Sequence, residues 1–172
     1  MNNFILKHII RFVILIAVQI MVLNNILFIG YINPYIYILF ILLLPFDIQR
    51  WLILILAFCL GISVDAFQNT MGLHAFSCVL IAYCREPVLH FLLPQLKNKK
   101  QSYLEFSLQE FGLQRALIYT GTLVIIHHFC LFILEAFQME LIRVFLRSLG
   151  SSIVTITLLI IIQYLLFKDA KR

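Results

Sequence analysis

An acid set inside an apolar run is the first residue of this chain whose chemistry needs an account. Asp65 closes a run that opens at Trp51, roughly 21 Å away along a helix rising about 1.5 Å per residue. A carboxylate in hydrocarbon is costly and is a functional candidate by default. Ala57, Gly61 and Asp65 recur every fourth residue, so they share one helix face. Two small residues and an acid on one face describe a close helix–helix contact around a shielded polar group. Two readings of Asp65 follow. It is a proton or substrate site, or it is a structural acceptor, for example for the N–H groups that open the next apolar run. His74 lies across a short turn from Asp65 and is either a pH-sensitive partner or ordinary polar packing. His127 and His128 are adjacent. Successive helix residues diverge by about 100°, so the two rings cannot share a metal in a regular helix. At least one is expected to face other helices or the outer interface. His8 and His90 read as interfacial residues.

Other chemistries find little footing. Cys59, Cys78, Cys84 and Cys130 lie in apolar runs with no C-x-x-C pair, which reads as small buried hydrophobes. There is no G-x-S-x-G elbow, no H-E-x-x-H helix and no glycine-rich phosphate loop. The expectation is a protein that is not an enzyme, with no catalytic residue, metal site or cofactor. Apolar residues make up 63% of the 172 positions, charged residues only 12%, and mean hydropathy is +1.02. A soluble domain carries about 25% charged residues. So polar a deficit excludes a water-soluble globule and implies a bilayer as solvent.

The elements that must position these residues are therefore membrane spans of about 20 apolar residues. Six are expected, in one integral membrane domain covering 1–172, at about 9–29, 35–46, 51–67, 71–93, 113–134 and 149–167. The first is broken at Gly30 and Asn33-Pro34. The second is short, with Pro34 suited to its first turn. The charged opening Met1–Lys7 is superficially like a signal peptide, but the apolar stretch is too long and no small-x-small site follows, so it reads as an uncleaved first span. Residues 94–115 form a hydrophilic loop, and residues 135–147 a polar, partly amphipathic connection. Of the 13 Lys and Arg residues, eleven fall on the N-terminal side of such a six-span arrangement. The positive-inside rule then places both termini in the cytoplasm. The net charge of +5 thus reads as topology, with no nucleic-acid partner. Lys97-Asn98-Lys99-Lys100 would attract anionic membrane lipid. Tyr31, Tyr35, Trp51, Tyr83 and Tyr164 fall near span ends and are expected at the interface.

One ordered set of features runs from Asn33-Pro34 through the short second span to Gly61-x-x-x-Asp65, a short turn, Gly72-Leu73-His74 and an apolar span ending Ile81-Ala82-Tyr83. In this the chain resembles the MreD family of rod shape-determining proteins. The second half matches in general character only. The resemblance implies an all-α, polytopic membrane helical bundle of about six transmembrane helices, similar to the substrate-binding subunits of energy-coupling-factor transporters. It also implies a non-catalytic scaffold of the bacterial elongation machinery in the cytoplasmic (inner) membrane, supporting cell shape and lateral peptidoglycan synthesis. Its partner would be an MreC-like scaffold and, through it, MreB filaments, the polymerase RodA and a class B penicillin-binding protein. Asn33, Pro34, Ala57, Gly61, Asp65, Gly72 and His74 are then candidates for structural or partner-contact roles. The alternative is a vitamin-binding transporter subunit. Against it, the small-x-x-x-small docking face of such subunits is missing from the first span, where Ala17 is flanked by Val13 and Met21.

Overall fold

The computed structural model describes residues 2–25, 32–93, 105–136 and 141–167, and among these the regular structure is helical, with no strand. The helices are α1 (Asn2–Met21), α2 (Ile38–Leu42), α3 (Arg50–Gln68), α4 (Leu73–Leu92), α5 (Leu108–Phe111), α6 (Leu113–Glu135) and α7 (Leu141–Phe167). Five of them, α1, α3, α4, α6 and α7, are long and apolar enough to cross a membrane. Their outward faces carry bare apolar side chains, among them Val13, Phe58, Phe76, Ile125 and Ile153. Such a lateral surface is the mark of a multi-pass membrane protein.

α1 starts and stops earlier than the expected 9–29, and asparagine sets the ends of both α1 and α3. A single 3-10 turn at Leu23–Asn25 ends α1, and Asn25 donates its side-chain amide to the free carbonyls of Ile20 and Met21. α3 ends on Asn69 in the left-handed conformation, at φ 55°, which asparagine tolerates. α3 packs on α4, α4 on α6 and α6 on α7, with α1 lying against α3. α6 is enclosed over half of its apolar stretch, whereas α1 is enclosed over 11%. α1 is therefore the peripheral helix. α1 and α3 finish together, because Asn24, Asn25, Phe67 and Gln68 line one cleft. This end of the bundle is called distal, and the end where α1 begins proximal.

Three expectations are corrected. First, the stretch 35–46 is not a membrane-length helix. Only the five residues of α2 are helical, and Pro34 lies upstream of them in irregular chain instead of in a first turn. Yet residues 34–45 are buried throughout, Tyr35 included, so this tyrosine is not interfacial. Irregular backbone at membrane depth is tolerated only where protein encloses it. Second, α7 begins at Leu141, so most of the expected polar connection is helix. Arg147 is accommodated there by Glu135, at 3.0 Å, and by the Phe132 ring, 4.2 Å from its guanidinium. Third, the hydrophilic loop folds back onto the bundle from Glu105, with Phe106 wholly buried. Lys97-Asn98-Lys99-Lys100, Gly30, Tyr31 and the basic tail 168–172 lie outside the described residues.

Candidate functional site

The broken second segment is the centre of the molecule, and its backbone explains most of the buried polar side chains. A helix satisfies its own N–H and C=O groups, whereas an irregular segment must borrow partners. At the distal end Asn33 N–H donates to Ser151 Oγ (3.1 Å) and Tyr35 N–H to Thr155 Oγ1 (3.2 Å), both on α7. Gln19 of α1 takes Ile36 N–H on Oε1 (2.9 Å) and donates through Nε2 to Pro34 O (3.1 Å). At the proximal end the carbonyls left over by α2 are taken one by one. Tyr119 of α6 donates to Leu42 O at 3.1 Å, Arg11 of α1 to Leu43 O, and Arg85 of α4 to Leu44 O and Pro45 O. A cation at the end of a helix also meets the negative pole of its dipole. Gln19 and Arg11 are about 12 Å apart along α1, so the segment runs back from distal to proximal between its two sets of clamps.

Asp65 holds the α3–α4 hairpin. Its Oδ1 accepts from His74 N–H (3.1 Å) and its Oδ2 from Ala75 N–H (2.9 Å). Thr70 Oγ1 adds a third hydrogen bond. These are the orphan donors at the start of α4, where Gly72, at φ 81°, makes no side-chain cap. The carboxyl of a neighbouring helix thus caps α4 and faces its positive pole. The contact is as close as the small residues imply. Ala57 and Gly61 are buried, and a Cβ on Gly61 would stand 2.5 Å from Ala75 N and 2.6 Å from His74 O.

The His74 ring does not meet Asp65; only its backbone does. The ring belongs to a chain through the bundle core. Gln68 Oε1 lies 2.9 Å from His74 Nε2 and, being a carbonyl oxygen, only accepts. His74 Nδ1 is therefore the acceptor for the Tyr37 hydroxyl at 2.7 Å. Tyr37 in turn accepts from His127 Nε2 at 3.1 Å. His127 Nδ1 ends the chain without a partner among the described residues, as do the buried Ser152 Oγ and Gln163 Oε1 of α7. His128 forms a second, separate pair: Nδ1–H donates to Val124 O (2.9 Å) and Nε2 accepts from Thr155 (3.2 Å). Both adjacent histidines are fully buried, α6 presenting one to Tyr37, just ahead of α2, and the other to α7. Among the described residues no group of three His, Cys, Asp or Glu side chains could hold a metal ion.

Sequence reasoning missed Arg85, Gln19, Tyr37 and Glu105. Glu105 accepts from Lys7 (2.8 Å) and Arg11 (3.1 Å), and lies 3.5 Å from His8. Beside it Phe106 packs on Tyr119 (4.3 Å between centroids) and stacks with Phe111 (5.1 Å), closing the proximal end under Arg85. A signal was available for two of the four, since Gln19 and Arg85 are polar residues inside apolar runs. At the distal end lies a polar cleft of about 500 Å³, lined by Gln19, Asn24, Asn25, Asn33, Tyr35, Phe67 and Gln68 among others. No protein-family model, characterised protein or solved structure matches the chain.

Proposed function

We propose that this chain is a non-catalytic membrane scaffold of the bacterial rod complex, crossing the inner membrane six times with both termini in the cytoplasm. The second crossing is the broken segment around α2. The observation that carries the reading is the use made of the buried polar groups. Gln19, Arg11, Arg85, Tyr119, Ser151 and Thr155 hold the chain's own backbone, and Asp65 holds a helix start. Their chemistry is structural, and the large lateral faces left over are apolar. A bundle of this kind acts through its surfaces on other membrane helices. The motif residues of the MreD resemblance fit this role, because Asn33, Pro34, Gly61, Asp65, Gly72 and His74 all sit at clamps, turns or close contacts. The partner is an MreC-like scaffold, which links to MreB filaments, RodA and a class B penicillin-binding protein.

Two experiments test it. Co-purification of the tagged chain from its native membrane, with mass spectrometry of proteins and small molecules, should return the MreC-like scaffold and cell-wall synthases. Recovery of an energy-coupling ATPase module or a stoichiometric vitamin would overturn the assignment. The six-crossing topology is read by cysteine accessibility at two exposed turn positions. Asp47→Cys should react from the cytoplasmic side and Asn69→Cys from the opposite side. With the N-terminus cytoplasmic, reaction of Asp47→Cys from the outer side and Asn69→Cys from the cytoplasmic side would remove the second crossing.

A further inference from the structure

The distal cleft does not end at its polar walls. Ile20 and Phe67 line it and also line an apolar groove of about 440 Å³ that follows α1 and α3, bounded by Phe12, Val13, Ile16, Ala17, Met21 and Ser63. The two spaces meet at these shared side chains. One is polar and sits where two membrane helices end; the other is apolar and opens on the lateral surface. A polar pocket joined to a lipid-facing groove matches an amphiphile in shape and in polarity.

The chemistry of the cleft narrows the headgroup. Among the described residues its side chains include five carboxamides and no ionisable group except the Tyr35 phenol. A charged headgroup would enter without a counter-charge, at a desolvation cost nothing offsets. Several amides are held by one half and leave the other half uncommitted among the described residues. Gln68 receives His74 on Oε1, leaving its NH2. Asn24 receives Gln19 on Oδ1, leaving its NH2. Asn25 donates to Ile20 O and Met21 O, leaving Oδ1. Two donors and an acceptor fixed in this way suit hydroxyl and amide groups, which both give and take hydrogen bonds. Phe67, 67% exposed, adds an apolar plate against which the face of a sugar ring can lie. The volume is within the usual range of small-ligand sites, about 300–1,000 Å³.

We infer that the cleft and groove between α1 and α3 together bind a lipid with an uncharged saccharide headgroup, the sugar among the amides and the acyl chain along the groove. The site stands on the chain's own residues and is independent of the rod-complex assignment, so either can fail without the other.

The test uses the full chain in nanodiscs, purified without sugar-based detergent, which would occupy the site. Native mass spectrometry follows retention of digalactosyl diacylglycerol against phosphatidylglycerol, diacylglycerol and free digalactose. The glycolipid should be retained preferentially over all three. Asn24→Leu removes a headgroup donor and should weaken retention about tenfold, the equivalent of one hydrogen bond. Ala17→Phe fills the groove and should weaken it comparably while leaving the cleft intact. Asn24 also accepts from the clamp residue Gln19, so an unchanged melting temperature together with unchanged hydrogen exchange at Ile36 N–H shows that each variant is folded with the clamp in place. Equal or better retention of phosphatidylglycerol overturns the headgroup assignment, and equal binding of free digalactose overturns the groove. Absence of selective retention, or retention indifferent to both folded variants, overturns the site.

Discussion

Adding one methyl group at position 61 should pull α3 away from α4. The Cβ of Gly61→Ala would lie 2.6 Å from His74 O and 2.5 Å from Ala75 N, whereas ordinary contact begins at 3.4 Å. The shortfall is roughly 0.8–0.9 Å at these two atoms and larger at Ala75 Cα, and the opposing atoms are backbone that cannot rotate away. If the helices separate by that amount, the hydrogen bonds from Asp65 to His74 N–H and Ala75 N–H, now 3.1 and 2.9 Å, stretch beyond 3.6 Å and cease to be bonds. Overpacking costs about 1–3 kcal/mol, and each hydrogen bond to a charged group contributes about 1.5–3 kcal/mol. A loss of about 3 kcal/mol or more follows. The assay is reversible unfolding in mixed micelles, titrating SDS into a mild detergent and following helicity. Gly121→Ala is the control, since its Cβ would meet only Ile156 Cδ1 at 3.8 Å. There the lower backbone entropy of alanine should stabilise the helix by about 0.5–1 kcal/mol. Because the clash at position 61 is with backbone, Ala75→Gly should not rescue it. An unfolding midpoint for Gly61→Ala equal to that of Gly121→Ala would refute the reasoning.

Three further outcomes are expected. Asp65→Asn replaces one of the two oxygens that take the N–H groups opening α4 with an NH2, lowering stability by about 1–2 kcal/mol; the same micelle titration measures it, and an unchanged midpoint would refute the capping role. Gln19→Leu leaves Ile36 N–H and Pro34 O without partners inside the bundle, at about 1–3 kcal/mol for each group, and hydrogen exchange at Ile36 should quicken while that of α6 stays slow. Tyr37→Phe deletes the hydroxyl joining His74 to His127; imidazole nitrogen NMR should show both rings changed and His128, which makes no bond to Tyr37, unchanged. A shift confined to one of the two rings would mean that the hydroxyl serves only that ring.

The long helices were legible because a bilayer imposes length and polarity together. α3, α4 and α6 begin and end within two residues of their expected limits. The face shared by Ala57, Gly61 and Asp65 was legible for a similar reason, as close approach requires small residues at helical spacing. The interior of the second segment was not. A short apolar run has no period that separates a helix from irregular buried chain, and its partners lie up to 120 residues away, as Thr155 does from Tyr35. Arg11 and Lys7 looked like topological charges, and nothing local shows that Glu105 returns to meet them. The cleft and groove are likewise invisible in one dimension, since they arise from the ends of α1 and α3 lying side by side.

The clamps on the second segment also order the events of synthesis. Gln19 and Arg11 emerge from the ribosome before the backbone they hold, but Arg85 and Tyr119 come later, and Ser151 and Thr155 come after α1 to α6 have been made. Until α7 arrives, the N–H groups of Asn33 and Tyr35 have no protein partner and cannot rest in hydrocarbon. The segment must therefore wait in the insertion machinery, at the lipid boundary or against water, and seat itself last. Completion of α7 is thus the step that gives Asn33 and Tyr35 their partners. A chain that stops short of α7 keeps an unseated hairpin, which a membrane protease can recognise as an unfinished protein.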